Sequence, residues 1–96
     1  MGTLVLFEVE ALAGKAEELI ALLDEVLPDT RAYDGCESVA VHRDQDAPDR
    51  IVLIERWTSR AQYEAYLQWR AERGDPRLGV LIAGPPAMRY LEDVDV

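Results

Sequence analysis

Apolar residues along this chain switch repeatedly between the spacing of a strand and that of a helix, and the order of these switches restricts the fold more than any other feature. The segment from Thr3 to Ala11 alternates in the manner of a strand, with Val5, Phe7 and Val9 on one face. Its other face begins with leucines and ends with glutamates. A first strand, apolar on both faces at its start, is therefore predicted.

An amphipathic helix is predicted next. Apolar residues recur at helical spacing from Ala16 to Leu27, and acidic residues cover the opposite side. Pro28 is expected to kink or end this helix, because proline lacks the N–H that the helical hydrogen-bond ladder requires. A helical remainder at 29–34 would then stop at Gly35, a residue suited to a left-handed C-terminal position.

The rest of the chain divides into shorter elements. We predict a strand at 36–43, a strand at 51–57, a helix at 59–73, a short helix starting at Asp75 and Pro76, and a strand at 87–92. The two central strands are joined by a polar loop and are predicted to form a hairpin. Ser59 and Gln62 have the spacing of a capping box at the start of the second helix.

The resulting order, βαββαβ, predicts an α+β domain of the ferredoxin-like class, in which a four-stranded antiparallel sheet carries two helices on one face. One domain spanning residues 1–96 is expected, with a loose acidic tail at 93–96. The other face of the sheet would carry Leu4, Leu6 and one apolar row of the hairpin. A patch of this size is costly in water, so we expect a second subunit, a ligand or both to cover it.

The charge balance restricts the partners. Nineteen acidic and ten basic side chains give a net charge of -9, which argues against binding to nucleic acid or to an anionic membrane. A single cysteine excludes an internal disulfide, and no cluster of cysteine and histidine predicts a metal site. No targeting or membrane segment is visible, so a cytoplasmic protein that binds a small molecule or another protein is expected.

Two sets of polar residues are candidates for a site. Cys36 and His42 fall on the same face of one predicted strand, but about 20 Å apart at ~3.3 Å per residue, too far for a catalytic pair. Charge is polarised, since residues 8–29 sum to -6 and residues 56–77 to +2. Arg70 or Arg73 could therefore orient an anionic ligand. The alternative is that both arginines form ordinary surface ion pairs.

Four aromatic residues are concentrated within thirteen positions: Trp57, Tyr63, Tyr66 and Trp69. Tyr63, Tyr66 and Arg70 share one side of the second helix. Tyrosine and tryptophan combine a large apolar ring with a polar group, which suits a pocket for a planar aromatic ligand. The same spacing also suits simple packing of a helix on a sheet, and the two interpretations stay open.

Several short motifs together resemble the antibiotic biosynthesis monooxygenase domain over nearly the whole chain. The first motif comprises Thr30, Arg31, Gly35 and Cys36. The second is the segment HRD followed by DAPDRIVLIERW, which contains Pro48, Glu55 and Trp57. The others are the aromatic residues of the second helix and the final segment GPPAMRYL. The resemblance implies a dimeric α+β barrel in which each subunit keeps a cleft between its sheet and its helices. Members of this family include cofactor-free oxygenases of polycyclic phenols, quinol monooxygenases, haem-degrading relatives and proteins without an assigned activity.

The chain departs from the family pattern in its histidines. Many members carry a histidine on the second helix where this chain has Tyr66 between Ala65 and Leu67. Haem-degrading relatives need an axial histidine further along, and no histidine follows His42. The first departure argues against transferring the family's acid–base chemistry to this chain, and the second argues against haem as a ligand.

The leading hypothesis is a cofactor-independent monooxygenase that acts on a planar phenol or hydroquinone, since an electron-rich phenolate can pass an electron to dioxygen itself. His42, Tyr66 and Arg70 are the candidate catalytic residues: His42 would be the base, and Arg70 would stabilise the phenolate. Tyr66 would line the pocket together with Trp57, Tyr63 and Trp69. We expect a homodimer without a cofactor or metal. One alternative is a dimeric module that binds a small aromatic metabolite without converting it. Another is a domain whose cleft is filled by its own side chains.

Overall fold

Six elements follow one another in the predicted order in the computed structural model, which describes residues 2–96. They are β1 (Thr3–Glu10), α1 (Ala16–Ala32), β2 (Cys36–Arg43), β3 (Arg50–Trp57), α2 (Arg60–Arg73) and β4 (Ala87–Leu91). The strands form one sheet in the order β2-β3-β1-β4, and every neighbouring pair is antiparallel. The predicted ferredoxin-like α+β fold is confirmed. None of the helices within the described residues combines the length and the apolar character that crossing a membrane requires.

Both helices pack on the same face of the sheet and divide the core into two parts. Under α1, the buried residues Leu19, Leu23 and Leu27 pack against Ile51 and Leu53 of β3. Under α2, a second cluster comprises Val5, Trp57, Tyr63 and Tyr66. Strand β1 contributes to both parts. The period of two directs Val5 and Val9 to the helix side of the sheet, and because they lie towards opposite ends of the strand, each belongs to a different cluster.

The opposite face of the sheet, called the outer face below, is not covered by either helix. Its apolar residues follow from the strand register and are Leu4, Leu6, Ala40, Val52, Ile54 and Leu91. Ile54 and Leu91 are 37% and 38% exposed. Glu8 and Arg89 form an ion pair at its border, as do Arg56 and Asp93. The uncovered apolar strip agrees with the sequence prediction for this face, and the structure adds that charges at its border are paired within the chain.

Helix α1 does not end at Pro28 but continues to Ala32, two residues short of the end of the predicted helical remainder. Proline removes the hydrogen bond to the carbonyl group four residues earlier, here that of Asp24. Both Pro28 and Asp24 lie on the exposed side of the helix, where water can hydrate that carbonyl. The buried side of the helix is uninterrupted, since Leu27 and Thr30 both reach the core. Burial therefore outweighs the loss of one backbone bond.

The predicted short helix after Gly74 is wrong. Residues 77–81 form turns, and Ile82 makes an isolated bridge with Ala11. The backbone N–H of Leu12 donates to the carbonyl of Leu81, which ties this segment to the end of β1. The helix α2 before it agrees with the sequence: the Ser59 hydroxyl accepts from the backbone N–H of Gln62, and Gly74 ends the helix with a φ of 64°.

A bulge in β2 changes which residues share a face. Cys36 pairs with Trp57 and Ser38 with Arg56, so the register shifts between them and Glu37 is an extra residue. Cys36 packs on the core, whereas His42 pairs with Val52 and lies on the outer face. The prediction that Cys36 and His42 share a face is therefore wrong, although its conclusion that they form no pair holds.

Candidate active site between the sheet and the helices

A cavity of about 220 Å³ lies between the two helices and the inner face of the sheet. Most of its lining is aliphatic or aromatic, supplied by Phe7, Leu22, Leu23, Val26, Leu27, Leu53, Leu67 and Leu78. The polar groups at its wall are fewer, namely Glu55, Tyr63, Tyr66, Arg70 and Asp75. An apolar cavity with a small number of polar groups is the usual character of a small-molecule site.

The hydroxyl of Tyr66 lies at the centre of a hydrogen-bond network that joins the two helices. It shares a hydrogen bond of 2.6 Å with the hydroxyl of Thr30 on α1. Arg70, one turn further along α2, donates from Nε to the same Tyr66 oxygen at 2.8 Å. Its Nη2 donates to the Thr30 hydroxyl and to the Val26 carbonyl, both at 2.8 Å. The three side chains therefore hold one another in fixed positions.

Arg70 differs from its neighbouring arginines in having no acidic partner. Arg73 is paired with Asp29, and Arg77 with Glu25 and Asp75. Within residues 2–96, the three bonds that Arg70 donates go only to neutral oxygens, and Nη1 donates none. A half-buried guanidinium with a free donor at a cavity wall can bind an anionic oxygen of a ligand.

Glu55 is a buried acid on β3, only 3% exposed. Its Oε1 accepts a hydrogen bond of 3.0 Å from the indole N–H of Trp57. Burial raises the pKa of the Glu55 carboxyl above its usual value, and the bond from Trp57 partly offsets this effect. Glu55 is thus a fixed carboxyl group with an enhanced affinity for protons at the cavity wall.

Tyr63 reaches the same cavity but is a hydrogen-bond donor and not a base. Its hydroxyl donates to the sulfur of Met88 at 3.2 Å. Burial, and then the nearby charge of Glu55, raise the pKa of Tyr63 far above its ordinary value, so the phenol stays protonated.

The two tryptophans predicted to line the pocket lie behind it. Trp57 is fully buried, and its ring packs against Tyr63 and Tyr66 at centroid distances of 5.3 and 5.1 Å. Trp69 contacts Tyr66 at 6.0 Å from the other side, and the Arg73 guanidinium stacks on it. Of the predicted aromatic set, Tyr63 and Tyr66 border the cavity, and Trp57 and Trp69 fix the position of Tyr66.

The structure does not bring His42 to the other predicted catalytic residues. Tyr66 and Arg70 line the cavity together, whereas His42 is exposed on the outer face. The sheet therefore separates His42 from the cavity of its own chain. No three cysteine, histidine, aspartate or glutamate side chains in the described part of the chain cluster as metal ligands would.

Two residues of this site, Glu55 and Thr30, are not among the site residues that the sequence predicts. Glu55 falls in the buried alternation of Ile51, Leu53 and Trp57, where an acid is unusual. Thr30 follows Leu23 and Leu27 on the buried side of α1. In both cases the signal was a polar residue at a position that periodicity assigns to the core.

Comparison with known proteins gives consistent matches. A family model described as antibiotic biosynthesis monooxygenase matches residues 3–71. Rv0793 from Mycobacterium tuberculosis, provisionally named a monooxygenase, is 35% identical over 83 residues, which make up 80% of this chain and 76% of the relative.

The solved structure of Rv0793 has a TM-score of 0.77 at 29% identity and covers 100% of this chain and 98% of its own. A Chloroflexus aurantiacus structure, provisionally named an antibiotic biosynthesis monooxygenase, gives 0.78 at 25% identity, with coverages of 100% and 96%. The similarity in fold thus extends over the whole chain.

Proposed function

Because this chain belongs to the antibiotic biosynthesis monooxygenase family, we propose that it is a monooxygenase that oxidises a planar phenol or hydroquinone with dioxygen. The reaction would take place without a cofactor, in the cavity between the sheet and the helices. Rv0793 carries the provisional name of a monooxygenase, which is in keeping with this proposal. The observation that carries it is an apolar cavity whose wall holds the guanidinium of Arg70, which is fixed on the hydroxyl of Tyr66 and keeps Nη1 as a free donor.

The size of the cavity favours a small aromatic substrate. A dry apolar cavity of about 150 Å³ is large enough to bind benzene. The cavity here measures about 220 Å³ and therefore suits a ring system of one or two fused rings. A tricyclic substrate would not fit wholly within this volume.

The proposed reaction needs no external reductant. A phenol whose para carbon carries hydrogen is converted to the quinone; that carbon gains one oxygen atom, and the second oxygen atom leaves as water with the two hydrogens that the substrate loses. The phenolate supplies the electrons. The contributions of the protein are to stabilise the phenolate through Arg70 and Tyr66, to orient the ring between apolar walls and to exclude bulk water.

Oxygen uptake by purified, chelator-treated protein tests the proposal. With alpha-naphthol we expect saturable uptake of one dioxygen per naphthoquinone formed, and heavy-isotope dioxygen should place one labelled atom in the product. Anthrone, with three rings, should react more slowly. Uptake no faster than in buffer, combined with quenching of tryptophan fluorescence by alpha-naphthol, would instead identify a binding protein that does not convert its ligand.

We also propose that a second copy of this chain covers the outer face. Its apolar residues form an uncovered strip in which Ile54 and Leu91 are more than a third exposed, and charged residues at its border are already paired within the chain. A two-fold contact between two such faces would bury both strips at once. His42 would then lie at the subunit interface.

Replacing Ile54 with aspartate at the centre of the outer face should separate the subunits. Burying two unpaired carboxylates in the contact costs several kcal/mol, so the dimer dissociation constant should rise by about 100-fold or more. Sedimentation velocity at micromolar concentration measures this. Ala65→Asp, on the exposed side of α2, introduces the same charge away from the interface and should leave the dimer intact. A wild-type protein that sediments as a monomer would rule out the dimer.

A further inference from the structure

The free oxygen of Glu55 is the polar feature of the cavity that the proposed function leaves unused. Oε1 is held by the indole of Trp57, but Oε2 has no hydrogen-bond partner among the described residues. No fully buried side-chain oxygen or nitrogen in that part of the chain lacks a partner. Oε2 must therefore remain accessible, and the space beside Glu55 is the cavity.

We propose that Glu55 is the proton acceptor of this site: a hydroxyl group of the bound ligand donates a hydrogen bond to Oε2 and then transfers its proton to it. In this step the O–H bond of the ligand breaks, a bond between Oε2 and hydrogen forms, and the electron pair stays on the ligand oxygen as a phenolate. The proton returns to solvent when the ligand leaves. This inference deepens the proposed function, and its binding step does not require oxidation.

The surroundings of Glu55 suit this role better than those of any other acid in the site. Asp75, the other carboxyl at the cavity wall, is engaged by the guanidinium and the backbone N–H of Arg77. Within residues 2–96 Glu55 makes no bond to a cation, and burial raises its pKa towards that of the group it would deprotonate, which makes proton transfer more favourable.

The groups near Glu55 also determine the pH dependence that we expect. Charged or titratable side chains facing it or sharing its cavity come from several elements: Tyr63, Tyr66 and Arg70 from α2, Asp75 from the following turn, Cys36 from β2 and Tyr90 from β4. The residues of α1 and β1 at the cavity are apolar. Glu55 is therefore the acid with a raised pKa in this cavity, and its protonation should remove the acceptor.

A swap of hydrogen-bond chemistry tests the inference. In Glu55→Gln, the Trp57 indole N–H still requires an acceptor and should hold the amide oxygen, which leaves the NH₂ group facing the cavity. The site then offers a donor in place of an acceptor, with almost no change in shape. Wild-type protein should prefer alpha-naphthol, which donates, over its methyl ether, which only accepts.

Anaerobic fluorescence titrations measure both affinities without oxidation. The affinity ratio of naphthol to ether should fall by about tenfold or more in Glu55→Gln, as expected for a hydrogen bond to a charged group. Glu64→Gln, an exposed change on α2 with the same loss of charge, should leave the ratio unchanged. In wild-type protein the ratio should also decline as the pH falls through the pKa of Glu55, a measurement that needs no variant.

Distinct outcomes separate this inference from the proposed function. An unchanged ratio in folded Glu55→Gln, or no preference for naphthol in wild-type protein, would overturn the role of Glu55 even if oxygen uptake occurs. The expected ratios without oxygen uptake would support the role of Glu55 and refute the oxidation. If neither compound binds, both proposals fail.

Discussion

Replacing Trp57 with alanine should lower the free energy of unfolding by about 3–5 kcal/mol, the range measured when a large buried aromatic side chain is truncated. Trp57 is fully buried between Tyr63 and Tyr66, so the lost ring leaves a hole beneath α2. The change also removes the hydrogen bond that the indole N–H of Trp57 donates to the buried carboxyl of Glu55. Domains of this size are stable by only about 5–15 kcal/mol, so the variant should be close to unfolding at physiological temperature.

Chemical denaturation followed by circular dichroism, at one fixed protein concentration, measures the loss. Trp69→Ala is the matched control, since truncating this half-buried ring on α2 removes less buried apolar surface. Trp57→Phe should fall between wild type and Trp57→Ala, because phenylalanine refills most of the space without donating to Glu55. Equal losses for the two alanine variants would contradict the central position of Trp57 in the core.

Replacing Arg70 with methionine should reduce kcat/KM for alpha-naphthol by about 100-fold, as expected when charge-assisted hydrogen bonds to an anionic oxygen are removed. Methionine keeps the length of the side chain but removes every donor. The effect on stability should be smaller, about 1–3 kcal/mol, because the Val26 carbonyl and the hydroxyls of Thr30 and Tyr66 lose a partner.

Arg60→Met is the control, since Arg60 lies on the same helix, stacks on Tyr90 and does not border the cavity. Arg70→Lys should recover only part of the activity, because a single ammonium group cannot reproduce three donor directions of a planar guanidinium. Steady-state rates of oxygen uptake and thermal unfolding are measured on the same preparations. Activity within about threefold of wild type in Arg70→Met would remove Arg70 from the site.

Much of the fold could be predicted because local and tertiary preferences agree in most elements. The alternation in β1 and β3 assigns the correct residues to the core, and the signals at Ser59 and Gly74 mark the true ends of α2. The prediction of a short helix after α2 failed because tertiary contacts outweighed local preference: pairing of Ile82 with Ala11 holds this segment out of a helix. Burial also carries α1 through Pro28.

The site was harder to predict than the fold because it depends on contacts distant in sequence. Tyr66 and Arg70 were predicted correctly as neighbours from their spacing on α2, but Thr30, 36 positions from Tyr66, could not be placed with them. Whether Trp57 borders the cavity or lies behind Tyr66 depends on the packing of α2 on the sheet, which no local pattern specifies.

The bulge at Glu37 restricts how β2 can change during evolution. Substitutions along β2 alter one side chain at a time, but loss or gain of a single residue near Glu37 would exchange the two faces of the strand. Val39 and Val41, which now face the helices, would then turn outward, and His42 would turn towards the core. A lineage that keeps both the core and the outer face must therefore conserve the length of this strand more strictly than its sequence.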